Sequence, residues 1–316
     1  MAKWLVTGGA GFIGSHIVEA LVAEGEKVRV LDNLSEGRKD SLAPVLSKIE
    51  FIQGDIRDAK AAARAVKNVD YVLHQAAMRS VPRSIQEPEA CTSMNVEGTL
   101  SMMLACKIAK VKRFVLASSS SIYGDSTVYP QKETHYPAPI SPYAASKVTG
   151  EHYGHVFTKT YGLSCVSLRY FNVFGPRQDP KSKYAAVVPK FIISALKDQP
   201  LEIHWDGKQS RDFAYVANIA RANIAAARTK NLKHEVYNVA CGGSTSLLDI
   251  AALLEKFMGK RLKKKFFPKR EGDVRKTFAD ISRLKSDLKM SNQVGFEEGL
   301  RNTFDFFSED GRWRNY

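Results

Sequence analysis

Tyr143 and Lys147 stand four residues apart, just behind Ser141 and Pro142. In a helix that spacing puts the phenol and the ammonium on one face. A free phenol titrates at about 10 and is neutral at physiological pH. A neighbouring ammonium favours the phenolate, and the pair could supply a general base near neutrality. With 12 tyrosines in a lysine-rich chain, one such pair is expected by chance. A second feature gives it weight. The apolar run at 114–117 leads into Ser118, Ser119, Ser120 and Ser121. A hydroxyl at the C-terminal end of a strand can hydrogen-bond a substrate oxygen and pass its proton to the phenol.

Glycines at positions 8, 11 and 14 sit between an apolar run and a helical stretch. Each has a steric task to expect: a tight turn, a close approach of backbone to a pyrophosphate, and close packing of the helix. The helix N-terminus then offers free N–H groups to phosphates. Asp32 ends the next apolar run, where a carboxylate would accept both ribose hydroxyls and repel a 2′-phosphate, so NAD is expected over NADP. Arg38 lies nearby and leaves NADP open. Asp55 and Ile56 follow a third run, and Gln75, Ala76 and Ala77 a fourth. Small Ala76 and Ala77 suit either a passing cofactor or tight packing. The residues expected to hold NAD are Gly8, Gly11, Phe12, Ile13, Gly14, Asp32, Asn33, Asp55, Ile56, Gln75, Ala76, Ala77, Tyr143, Lys147 and Tyr170.

The elements that must position these groups alternate. Short apolar runs bounded by turn residues, at 3–6, 27–31, 49–53, 71–74, 114–117 and 165–169, read as strands buried on both faces. Helical stretches at 12–23, 89–110 and 143–161 lie between them. Strand–helix alternation implies a parallel sheet with helices on both faces. The expected fold is α/β: a doubly wound parallel sheet of Rossmann type with a smaller mixed C-terminal lobe. Residues 1–170 and returning segments near 211–240 would form the first domain; 171–210 and 241–316 would form the lobe. Further helices are expected in the second half of the chain at 187–197, 216–228 and 247–257.

Bulk properties exclude other classes. The chain has 316 residues, 44% hydrophobic and 25% charged, which rules out a disordered tail, a collagen-like fibre and a disulfide scaffold. No apolar run approaches the ~20 residues of a membrane span. The apolar stretch near the N-terminus is too short for a secretory signal. Four scattered cysteines without a CxxC pair suggest reduced thiols, and a cytoplasmic location is expected. No metal is expected. The net charge of +14 suits an anionic substrate, a nucleic acid or an anionic surface, and equally a merely solvated surface.

From TGGAGFIG through SSSSIYG and YAASK to LRYFNVFGPRQ, VVPKF, QSRDFAYV and REGDVRKTFADISR, the sequence resembles the NAD-dependent sugar epimerase/dehydratase family, within it the nucleotide-sugar 4-epimerases. The resemblance implies Ser119, Tyr143 and Lys147 as catalytic residues and a UDP-sugar as substrate. It implies that Asn172, Arg211 and Arg270 approach the diphosphate, that Asp273 accepts the nucleotide ribose and that Val188 lines the nucleotide pocket. Ser120 and Ser121 occupy the positions where related dehydratases and decarboxylases carry carboxylates, which disfavours both activities. Thr277 takes the place beside the sugar's C2 substituent, where a small residue admits an N-acetyl group. Ser80 and Arg83 are candidate sugar contacts, and Arg83 equally a solvated surface residue.

The expected reaction is inversion of C4 through a 4-keto sugar with bound NAD, on UDP-GlcNAc/UDP-GalNAc and also UDP-Glc/UDP-Gal. A uronic-acid 4-epimerase is the alternative, and a catalytically silent nucleic-acid binder the alternative of another class. No nucleic-acid or membrane partner is expected. The resemblance also implies a homodimer in which helices 89–110 and 143–161 form a four-helix bundle with their copies. Met94, Leu100, Met103 and Leu104 would serve that face, or the ordinary core.

Overall fold

The computed structural model describes residues 1–180, 186–269, 275–309, 311 and 314. The first half builds strands β1 (Lys3–Thr7), β2 (Lys27–Asp32), β3 (Ile49–Gln53), β4 (Tyr71–His74), β5 (Arg113–Ser119) and β6 (Cys165–Tyr170). Between them lie α1 (Phe12–Ala23), α2 (Ala59–Val66), α3 (Val81–Gln86), α4 (Pro88–Thr92), α5 (Gly98–Ile108) and α6 (Pro142–Tyr161). The second half adds β7 (Val173–Phe174), β8 (Leu201–His204), β9 (Ser210–Arg211), β10 (Ala214–Tyr215), β11 (Val236–Val239), β12 (Thr245–Ser246), β13 (Lys264–Phe267) and β14 (Lys276–Thr277). Its helices are α7 (Val187–Leu196), α8 (Val216–Arg228), α9 (Leu247–Met258), α10 (Ser282–Asp287) and α11 (Phe296–Glu309).

Seven strands form one sheet in the order β3-β2-β1-β4-β5-β6-β11, every pair parallel. Successive side chains of a strand point to opposite faces. On β1, Trp4 and Val6 therefore join the core under α1 and α8, and Leu5 joins the core under α2, α5 and α6. Both faces are covered, as the uninterrupted apolar runs require. The doubly wound α/β class expected from the sequence is the class observed. A third core, around Phe174, Phe191, Phe213 and Phe304, belongs to the smaller sheets and the helices packed on them.

The helix expected over 89–110 departs from regularity. It starts at Pro88, takes a π turn at Ser93–Glu97 and resumes as α5. Buried Asn95 lies in that turn. It donates to the Met78 carbonyl at 3.0 Å and to Ser146 Oγ at 3.0 Å, and accepts from Met78 N at 2.7 Å. A wide turn inside a helix is where such a polar group can be aimed sideways.

Met103 is fully buried and Met94 lines a cleft at the C-terminal ends of the strands, so neither lies on an outward face; of the four residues named for it, Leu104 is 44% exposed. Ile108, Val156 and Tyr161 are the further exposed large apolar residues of α5 and α6.

Candidate active site

α6 begins where it does because Ser141 caps it and Pro142 takes its first position. The Ser141 hydroxyl accepts from Ala144 N at 3.2 Å, and Ser84 Oγ accepts the Tyr143 N–H at 3.1 Å. Both bonds satisfy donors that a helix start leaves free. They fix Tyr143 in the first turn, and Lys147 follows one turn later on the same face.

The Lys147 ammonium reaches the sheet, donating to the Ala117 carbonyl of β5 at 2.9 Å. It lies 5.7 Å from the centroid of the Tyr143 ring. Ser119 closes β5, and its oxygen accepts from Ser121 N at 3.1 Å and Ser121 Oγ at 2.9 Å. The Ser119 proton is thereby left to give, and its hydroxyl is the hydrogen-bonding neighbour that favours ionisation of Tyr143. Behind them, buried Arg169 and Glu151 pair at 2.7 Å, and Ser118 donates to Glu151. Tyr143, Lys147 and Glu151 thus line one face of α6.

The electrostatics differ from the sequence expectation in one respect. Burial pushes the Tyr143 phenol above its ordinary value, and Ser119 opposes this. Burial also draws Lys147 down to about 8. The charged form of each is disfavoured in a site shielded from water. The ammonium is spent on the Ala117 carbonyl, and it does not make Tyr143 a base unaided.

The glycine turn meets its steric demands differently at each position. Gly8 has φ 66°, and a Cβ there would lie 2.7 Å from Ala76 N. A Cβ at Gly14 would collide with the Gly8 carbonyl, so α1 packs on the turn itself. Gly11 carries neither demand: its φ is −78° and a Cβ would stand 3.2 Å from the Gly8 carbonyl. What it leaves open is the approach from the cleft.

That cleft has a volume of about 460 Å³ and runs along the C-terminal ends of the parallel strands. Every residue named above for NAD lines it. Asp32 is held by Ala10 N at 2.9 Å and Leu34 N at 2.8 Å, and its oxygens keep lone pairs for ribose hydroxyls. Asn33 donates to Asp55 at 2.9 Å, and the Arg57 guanidinium holds the Asp55 carboxyl well below its usual range. Tyr170 donates to Gln75 at 3.1 Å. Arg177, Gln178, Phe306 and Phe307 also line the cleft and were not identified from the sequence. Gln178 is 9% exposed, and its Oε1 is buried without a partner among the described residues. A glycine cradle, a carboxylate at the end of β2 and an orphaned acceptor fit a dinucleotide.

The residues named for the substrate are more dispersed. Ser120 and Ser121 follow Ser119 directly and are half-buried. Ser80 caps α3, accepting from Arg83 N, and the Arg83 guanidinium pairs with Glu36 and Glu87. Asn172 donates to the Asp212 carbonyl at 2.9 Å. Thr277 pairs with Arg211 across β14 and β9, its hydroxyl buried without a partner among the described residues. Val188 is fully buried in the third core, so its side chain packs and only its backbone is left for a pocket. Arg270 and Asp273 lie outside the described residues. Among the described residues, no cluster of His, Cys, Asp and Glu is placed to hold a metal, and no helix is long and apolar enough to cross a membrane. Cys91, Cys106, Cys165 and Cys241 are free thiols.

Residues 4–240 match the NAD dependent epimerase/dehydratase family. The putative UDP-glucose 4-epimerase of Methanocaldococcus jannaschii is 37% identical, covering 98% of this chain and 99% of the relative. The structure of the UDP-N-acetylglucosamine 4-epimerase of Methanobrevibacter ruminantium M1, solved with UDP-N-acetylmuramic acid, superposes with a TM-score of 0.93 at 41% identity, covering 98% and 99%. That of the UDP-glucuronic acid 4-epimerase of Bacillus cereus, solved with UDP-glucuronic acid and NAD, superposes with a TM-score of 0.88 at 34% identity, covering 97% and 99%. The chain belongs to the NAD-dependent epimerase/dehydratase family and is an NAD-dependent epimerase.

Proposed function

We propose that this enzyme is a UDP-sugar 4-epimerase whose principal pair is UDP-GlcNAc and UDP-GalNAc, with UDP-Glc and UDP-Gal also accepted. One observation carries the reading: Ser119, Tyr143 and Lys147 converge where the dinucleotide cleft meets the end of β5, with serines at 120 and 121. When bound, NAD supplies a hydride acceptor that takes hydrogen from C4 and returns it to the opposite face.

The chain's own residues do the rest. Tyr143 takes the proton of the 4-hydroxyl and later returns it. Ser119 donates a hydrogen bond to the same oxygen and keeps the hydroxyl aligned. The Lys147 ammonium lies beside the Tyr143 ring and would add to the charge of a bound nicotinamide where the phenolate forms. Ser120 and Ser121 carry no carboxyl, so elimination across C5 and C6 has no acid–base pair there. Asn172 and Arg211 would hold the diphosphate and Ser80 and Arg83 the sugar, with Arg270 and Asp273 completing the nucleotide site. Thr277 favours the N-acetyl substrate: beside Arg211 it offers a small side chain and a hydroxyl with no partner among the described residues.

A homodimer through α5 and α6 belongs to this reading. Leu104, Ile108, Val156 and Tyr161 are exposed there, and a second copy would cover them in a four-helix bundle.

The test is incubation of the purified enzyme, without added NAD, with UDP-GlcNAc, UDP-Glc and UDP-glucuronic acid in turn. The reading expects the C4 epimer of UDP-GlcNAc to form fastest. Turnover of the uronic acid alone would assign the substrate to the alternative, and no epimer from any of them would overturn the activity.

A further inference from the structure

The segment 175–179 follows β7, yet it is fastened to α1, far earlier in the chain. Arg177 and Glu19 form a bidentate pair, Nη1 to Oε1 at 2.7 Å and Nη2 to Oε2 at 2.7 Å. One turn nearer the N-terminus of α1, His16 Nε2 donates to the Pro176 carbonyl at 2.9 Å. Burial, with the Arg177 cation, holds His16 down to about 4. The imidazole is therefore neutral at physiological pH, and its one N–H is committed to this bond. Arg177 has φ 64°, a backbone conformation that a side chain with a Cβ rarely adopts. Such a residue persists where its surroundings over-determine it, and two parallel charge-assisted bonds do so here.

The same segment faces the dinucleotide cleft. Arg177 and Gln178 line it, alongside the glycine turn and Phe306 and Phe307 of α11. Gln178 Nε2 is committed to the Val173 carbonyl at 3.0 Å, which fixes the amide and turns Oε1 the other way. That oxygen is buried and has no donor among the described residues. A buried acceptor without a donor is costly. A dinucleotide carries ribose hydroxyls and a carboxamide N–H, either of which would satisfy it.

We propose that Glu19, Arg177 and Gln178 form a latch that keeps the dinucleotide bound between turnovers: the Glu19–Arg177 pair fixes the segment to α1, and Gln178 accepts a hydrogen bond from the cofactor. Glu19 and Arg177 are positioning residues, acting through the segment. The latch links α1, at the phosphate end of the cleft, to the part of the chain that leads into the third core. A reaction that returns its cofactor unchanged gains from slow release, because NADH lost between the half-reactions strands the sugar as a ketone. The proposal requires NAD binding but no particular sugar.

The test is the rate at which NAD-loaded enzyme releases its cofactor after dilution into an NAD-hydrolysing enzyme, with no sugar present. The forms compared are the wild type, Glu19→Gln, Arg177→Gln, the charge swap Glu19→Arg/Arg177→Glu, and Gln178→Leu. Glu19 and Arg177 are partly exposed, so their replacement spares the core. Release is expected about tenfold faster in each single variant, with the swap returning to within about threefold of wild type. Release from both Glu19→Gln and Arg177→Gln within about twofold of wild type, or a swap as fast as the singles, would overturn the latch. Cofactor release is read without turnover, so failure of the UDP-sugar assignment and failure of the latch are separate results.

Discussion

The Lys147 ammonium lies 5.7 Å from the centroid of the Tyr143 ring, and burial moves the two groups in opposite directions, the phenol up and the ammonium down. Each is pushed towards its neutral form. A bound NAD would bring a positive nicotinamide to the cleft that Tyr143 lines, and the phenol would then gain the charge that Lys147 alone does not provide.

The Lys147 shift has a consequence for stability. Its ordinary value is 10.5, and the fold lowers it to about 8. Between those values the unfolded chain binds more protons, so this contribution makes stability rise with pH. The penalty is complete below the folded value and is relieved as pH rises through it. Lys147→Met removes the penalty at every pH. For cofactor-free protein, the stability of the variant relative to wild type should therefore fall from about pH 7 to about pH 10, by on the order of 2 kcal/mol. Denaturant titrations at a series of pH values measure it. A pH-independent difference would mean that Lys147 keeps its ordinary affinity for protons.

Thr277 tests the substrate assignment. Thr277→Tyr places a ring beside Arg211 on β14, where the proposed C2 pocket lies. Turnover of UDP-GlcNAc should fall by more than about 100-fold while that of UDP-Glc stays within about threefold. Measurement of kcat/KM for both sugars decides. Unchanged turnover of the N-acetyl substrate would remove Thr277 from the sugar site.

Glu151 and Arg169 lie behind the groups proposed as catalytic. The pair is buried, Arg169 also donates to Tyr123 at 2.9 Å, and Ser118 donates to Glu151. Removing one partner strands the other charge, so Arg169→Met should destabilise the protein by about 3 kcal/mol or more. Urea unfolding provides the value. A loss below about 1 kcal/mol would place the pair in contact with water.

Six of the seven strands of the sheet were legible because they are short apolar runs closed by turn residues, whereas β11 was not named. Expected and observed bounds coincide for Ile49–Gln53 and Tyr71–His74, and likewise for the helices Phe12–Ala23 and Val216–Arg228. The two-residue strands β7, β9, β10, β12 and β14 were not legible. So short a stretch has no periodicity, and only tertiary pairing makes it a strand. The π turn at Asn95 was missed for a related reason: Ser93–Glu97 carries no helix breaker. Chemical groups that recur at fixed spacing, such as Gly8 to Gly14 and Tyr143 to Lys147, could be read from the chain. The Glu19–Arg177 pair could not, because no local pattern links residues so far apart. The direction of the Tyr143 shift was also hidden, since it depends on burial rather than spacing.

The most direct measurement uses UDP-GlcNAc with deuterium at C4, incubated in ordinary water with the purified enzyme and no added NAD. The account predicts UDP-GalNAc that keeps its deuterium at C4, with no net reduced cofactor formed and no conversion by Tyr143→Phe. UDP-GalNAc carrying protium at C4, or conversion undiminished in Tyr143→Phe, would contradict it.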